Sequence, residues 1–223
     1  MKPRYLGKTK SNNKKESKRK TRKNKSVKKG GALLVPNKES YKCSQRNITT
    51  LDLSNCPNLT YLYCDYNKIT ELDLSHCPNL TVLQCNNNQI TELDLSHCPN
   101  LNLLQCYNNQ LRELDLSNCP NLQYLLCQYN KLTELNLYEL YDLECSNNKL
   151  TKLNLLNCPR LTSLNCNVNE LTELDISQND NINDMTTTNN PFRNNFDYDI
   201  DIHIDRYRQW CIKINHLKVI YFY

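Results

Sequence analysis

The sequence predicts a β-rich solenoid, and three observations carry that expectation. Segments beginning at Leu51, Leu72, Leu93 and Leu114 repeat one 21-residue pattern, L-D-L-S-x-C-P-N-L-x-x-L-x-C-x-x-N-x-[IL]-x-E. Self-similarity at this period marks a stack, because one such unit has no partner for its apolar face and neighbouring units supply it. Within each copy the second half alternates, so in "VLQCN" Leu83 and Cys85 point inward while Val82, Gln84 and Asn86 point out.

The copies then decay in both directions. A fifth, from Leu135, is shorter by three residues and lacks the Cys-Pro step. A sixth starts at Leu153 and a fading seventh at Leu174. Upstream, "YKCSQRNITTL" fits the second half of a copy, with Arg46 where the others carry asparagine. The solenoid is therefore expected over residues 37–190, in about seven coils.

Stacking turns each position into a column with a spacing of about 4.8 Å. Leu62, Leu83, Leu104, Leu125, Leu143 and Leu164 form one inward column, and Cys64, Cys85, Cys106, Cys127, Cys145 and Cys166 the next. Cysteine acts here as a small hydrophobe. A second set, Cys56, Cys77, Cys98, Cys119 and Cys158, precedes proline and is expected to pack the return arm. The column Asn67, Asn88, Asn109, Asn130, Asn148 and Asn169 is expected to turn inward, its amides serving backbone groups in the bend. Parallel, in-register thiols converge poorly on a metal ion and resist the approach that a disulfide needs. Buried free thiols follow.

These residues resemble a known family. "LTVLQCNNNQI" fits L-x-x-L-x-C-x-x-N-x-[IL], the leucine-rich-repeat signature with cysteine for its third leucine. The 21-residue form with a recurrent cysteine is similar to the cysteine-ladder branch known from certain bacterial internalins. The resemblance implies a curved, right-handed coil, a parallel sheet on its concave side, and protein binding. Composition and repeat style also resemble leucine-rich-repeat proteins of giant DNA viruses. That likeness implies an intracellular host setting, in cytoplasm, nucleus or virion.

The outward sheet positions make the candidate partner site: Tyr61, Tyr63, Val82, Gln84, Leu103, Gln105, Tyr107, Tyr124, Leu126 and Gln128. Aromatic, weakly charged patches of this kind suit protein interfaces. The next rung turns acidic with Asp142 and Glu144. On the opposite arm Glu71, Glu92, Glu113, Glu134 and Glu173 stack beside Asp73, Asp94, Asp115 and Asp175. Lysine and arginine neighbours offset them, and a solvated acidic face is expected rather than a calcium site. His76 and His97, one rung apart, are expected as exposed filler.

Charge divides the chain. Residues 1–29 hold fourteen Lys/Arg against Glu16, leaving 14 basic and 22 acidic residues for the remainder. Residues 1–36 are expected to be a disordered basic tail, too charged to fold alone. Within it, Lys18, Arg19, Lys20, Arg22 and Lys23 suit either phosphate contacts with nucleic acid or an import signal. Gly30 and Gly31 resemble Gly-Gly cut sites that follow basic segments in giant-virus proteins. Residues 191–223, with "DYDIDIHID" alternating, are expected to form a β cap.

No nucleophile elbow or phosphate loop is present, and three glycines suit no phosphate cradle. The reading is a non-enzymatic protein-binding scaffold with no cofactor, metal, small-molecule substrate or membrane partner. The alternative is a structural or packaging protein whose tail binds nucleic acid. An odd cysteine count and no export signal point away from secretion.

Overall fold

The structure, a computed structural model, describes residues 28–29, 32–35 and 37–191. Eleven short strands run in chain order: β1 (Lys28–Lys29), β2 (Ala32–Leu34), β3 (Ser40–Lys42), β4 (Leu51–Asp52), β5 (Tyr61–Tyr63), β6 (Val82–Gln84), β7 (Leu103–Gln105), β8 (Tyr124–Leu126), β9 (Asp142–Glu144), β10 (Ser163–Asn165) and β11 (Asp184–Thr186). Eight of them form one parallel sheet in the order β11-β10-β9-β8-β7-β6-β5-β3. No α-helix occurs among the described residues, and none is long and apolar enough to cross a membrane.

The register is the repeat itself. Leu62 stands beside Leu83, Leu83 beside Leu104, and Leu104 beside Leu125. The shortened fifth coil keeps step, Leu125 facing Leu143. Its three missing residues come out of the return arm, where Glu139 takes a left-handed φ of 52° to make the tighter turn.

The return arm also has a rule. In the full copies Cys77 N–H donates to Leu74 O at 2.9 Å and Leu80 N–H to Cys77 O at 3.1 Å. Two linked turns thus bring Leu74, Cys77 and Leu80 to the core every third residue. Pro78 sits second in the latter turn, where its fixed φ fits and no N–H is needed. The seventh coil replaces this cysteine with Asn179, buried, which donates to Leu155 O and Cys158 O at 3.1 and 2.8 Å. Cys119 Sγ points at the equivalent carbonyls of Leu95 and Cys98, at 3.9 and 3.7 Å.

The asparagine column turns inward as expected. Asn109 Nδ2 donates to Cys85 O and Cys106 O at 3.1 and 3.0 Å, and its Oδ1 accepts from Ile90 N–H at 3.0 Å. Asn88, Asn130, Asn148 and Asn169 repeat the scheme, and Asn190 extends it to the last coil. Each amide therefore joins two successive coils at the bend after the strand. At the first rung Arg46 lacks the side chain for this role, and its backbone N–H is served by Asn67 Oδ1 at 2.9 Å.

Two described strands, β1 and β2, fall within residues 1–36. β1 pairs antiparallel with β2, and β2 lies parallel to β4. Val35 is buried, and it accepts from Cys56 Sγ through its carbonyl at 3.5 Å. The physical reason is the apolar run Ala32-Leu33-Leu34-Val35, which follows the basic residues and has the first coil's open end beside it. The rest of the expected tail, and all of the expected cap at 191–223 except Pro191, lie outside the described residues.

Candidate functional site

The sheet's solvent face is built by strand alternation. The six inner strands β5 to β10 bury their middle residue and present the two beside it, the end strands β3 and β11 half-bury theirs, and the eight rungs give two continuous rows. One row reads Ser40, Tyr61, Val82, Leu103, Tyr124, Asp142, Ser163, Asp184. The other reads Lys42, Tyr63, Gln84, Gln105, Leu126, Glu144, Asn165, Thr186. All ten expected partner-site residues occupy this face: eight on these rows, and Tyr107 and Gln128 one step past the inward cysteine. Tyr61 and Tyr124 are exposed; the other eight are half-buried.

Neighbours hold several of these side chains in place. Lys42 Nζ sits 4.5 Å above the Tyr63 ring, a cation–π contact. Tyr124 lies 6.3 Å from Tyr141 in a tilted pair, and Arg160 donates to the Tyr141 hydroxyl at 3.2 Å. Burial, the neighbouring Tyr66 and Asp65 push the Tyr107 hydroxyl above its ordinary pKa. Asn86, expected to point into solvent, is buried instead, as is Ser146 at the same place in the fifth coil. The side chains of adjacent rungs close over this third outward position.

Sequence reasoning missed the strand ends. Tyr66 and Tyr129 are more than half exposed and Val168 nearly so, and all three adopt left-handed φ of 53–56°. Sibling coils place Asn87, Asn108, Asn147 and Asn189 there, a residue type that tolerates this conformation. The signal available was position: each precedes a ladder asparagine.

The opposite arm resolves as turn chemistry. Asp73, Asp94, Asp115 and Asp175 each accept, through Oδ1, from the N–H of the serine two residues on, at 2.8–2.9 Å. Hydrogen bonds from these serines hold the Asp73, Asp94 and Asp115 carboxyls below their ordinary pKa. His97 Nδ1 lies 2.9 Å from Ser96 Oγ. Among the described residues no three His, Cys, Asp or Glu side chains are grouped to hold a metal ion.

The twelve described cysteines are buried and none is in a disulfide. Burial pushes the Cys43, Cys77, Cys85, Cys98 and Cys127 thiols up to about 12 and Cys119 to about 11. Such thiols stay protonated at neutral pH and are poor nucleophiles. The candidate nucleic-acid or import residues Lys18, Arg19, Lys20, Arg22 and Lys23, and the candidate cut site Gly30-Gly31, lie outside the described residues.

Comparison with known proteins agrees with this geometry. The profile described as Leucine Rich repeats (2 copies) matches residues 57–97 and again 78–118. A leucine-rich-repeat protein of Leptospira interrogans superposes with a TM-score of 0.67 at 26% identity, over 78% of this chain and 47% of that one. The fold is a leucine-rich-repeat solenoid. YopM from Yersinia enterocolitica is 31% identical, with a TM-score of 0.54 over 61% of this chain and 30% of its own. The functional domain of InlJ from Listeria monocytogenes, which includes a cysteine ladder, is 31% identical with a TM-score of 0.49, over 67% of this chain and 44% of that one. The chain spans less than half the length of each of these three. No curated protein sequence matches it.

Proposed function

We propose that this protein is a non-enzymatic scaffold that binds a protein partner on the solvent face of its sheet. Leucine-rich-repeat folds commonly mediate protein–protein interaction. The observation that carries the reading to this face is the uncharged run across four adjacent rungs. Tyr61, Val82, Leu103 and Tyr124 stand side by side in one row, flanked by Tyr63, Tyr107 and Leu126. Contiguous apolar surface of this kind, rimmed by amides, is characteristic of interaction sites. We place the scaffold in a reducing compartment, where a coil with twelve buried cysteines and no disulfide among them persists.

The test is affinity capture with the full chain and with a variant carrying Tyr61→Ala, Tyr63→Ala, Tyr107→Ala and Tyr124→Ala. Buried aromatic anchors each contribute about 2 kcal/mol or more to an interface, so the variant should lose the partners that the natural chain retains. Recovery of the same proteins by both would refute the reading. Circular dichroism of the variant checks that the coil persists.

A further inference from the structure

The sheet face changes character between β8 and β9. Up to β8 it is apolar and amide-bearing; from β9 it carries Asp142 and Glu144, with Asp184 two rungs on. Asp142 stands next to Tyr124 in register and Glu144 next to Leu126, rungs lying about 4.8 Å apart. Asp142 Oδ1 and Gln128 Oε1 are buried oxygens with no hydrogen-bond partner among the described residues. Glu144 accepts from Asn165 Nδ2 at 3.0 Å. Burial, then Asp142 and Asp184, push its carboxyl above the ordinary range, with no described cation drawing it back. The nearby Arg160 is engaged elsewhere, 3.8 Å from Glu139 and 3.2 Å from the Tyr141 hydroxyl.

We propose that this junction seats an arginine of the partner: its guanidinium on Asp142 and Glu144, its plane against Tyr124, and the partner's apolar side chains across β5 to β8. The inference rests on reading the sheet face as the protein-binding surface. Two carboxylates on one rung suit the planar, five-donor guanidinium fork better than the compact three-donor ammonium. Tyr124, 39% exposed, presents a ring on which that fork stacks. At the other end of the sheet the same pairing is complete within the chain, Lys42 lying over Tyr63. At the β8–β9 junction the ring and the acids are in place and the cation is not supplied by the described residues. An unpaired, half-buried acidic pair beside an apolar patch selects a partner by charge complementarity.

The experiment titrates the full chain with two synthetic peptides of alternating leucine and serine, one carrying a single arginine and the other its neutral isostere citrulline. The arginine peptide should bind about tenfold tighter, the effect of one charge-assisted contact. Asp142→Asn with Glu144→Gln should erase that difference, while Tyr61→Ala should weaken both peptides. Equal affinity for the two peptides, with Tyr61→Ala still weakening both, overturns this inference and leaves the sheet-face reading standing. Indifference of both peptides to Tyr61→Ala overturns the two together. A lysine peptide as tight as the arginine one contradicts the guanidinium seat. Binding that appears only after residues 1–27 are deleted overturns the external partner, because the chain's own basic segment is then the occupant.

Discussion

Raising the pH from 8 to 10 should unfold the coil. Nine thiols carry the effect: Cys43, Cys64, Cys77, Cys85, Cys98, Cys106, Cys119, Cys127 and Cys145 are each held well above their ordinary pKa, chiefly by burial. In the unfolded chain a thiol ionises near pH 8.5. In the folded chain those with assigned values keep the proton to about 11 or 12. Between these limits the unfolded state binds fewer protons than the folded one, so stability falls as pH rises. Below about pH 8.5 the contribution is whole; above it each thiol costs ~1.4 kcal/mol per pH unit. The six with assigned values together cost roughly 8 kcal/mol per unit, on the order of the entire stability of an ordinary domain. Circular dichroism melts under reducing conditions at pH 7, 8, 9 and 10 should show Tm dropping steeply above pH 8.5. A Tm that holds through pH 10 would mean the thiols are not dry. Replacing Cys85 and Cys106 by alanine should flatten the slope by two protons.

The second large effect is at the asparagine ladder. Asn109→Ala removes one of two amide donors from Cys85 O and from Cys106 O, which Asn88 and Asn130 still serve, and strips the acceptor from Ile90 N–H in the bend between coils. The one buried group left unsatisfied costs about 1–3 kcal/mol and each lost second bond adds a fraction of that, so the variant should lose roughly 3 kcal/mol and about 8 °C in Tm. Asn109→Asp keeps an acceptor for Ile90 but loses both donors, and should be as damaging. Asn108→Ala, one residue away and exposed, gives up the preference for a left-handed φ of 52° and a solvent-exposed hydrogen bond to Asn87 Oδ1 at 3.0 Å and should cost about 1 kcal/mol. Urea unfolding of the three variants measures the contrast. Equal, small losses at both positions would show that solvent satisfies the bend.

Much of this architecture was readable because a repeat converts weak local signals into columns. One Leu-x-Cys alternation is ambiguous; six of them at fixed period assign the inner face, and Leu83, Cys85 and Asn88 stand where that argument puts them. What stayed hidden depends on neighbours that periodicity does not encode. Asn86 alternates outward like Gln84, yet the adjacent rungs cover it. The aspartate column read as a solvated acidic face offset by lysine and arginine neighbours. Its recurring Asp-x-Ser spacing was the visible clue that each carboxylate caps its own turn. Tyr66, Tyr129 and Val168 hold a backbone conformation that asparagine holds in sibling coils, a strain apparent only once φ is known. The first strands were obscured by charge: the basic run before Ala32 outweighs four apolar residues that the open first coil recruits.

Differential alkylation tests the central claim, that successive coils lie in register with their thiols dry and unpaired inside. The full chain is treated with iodoacetamide at pH 7.5, then with a distinguishable reagent in guanidinium, and its peptides are read by mass spectrometry. All twelve cysteines of the coil should escape the first reagent and take the second. Labelling of Cys64, Cys85 or Cys106 in the native protein, or their failure to label after denaturation without reductant, would contradict it.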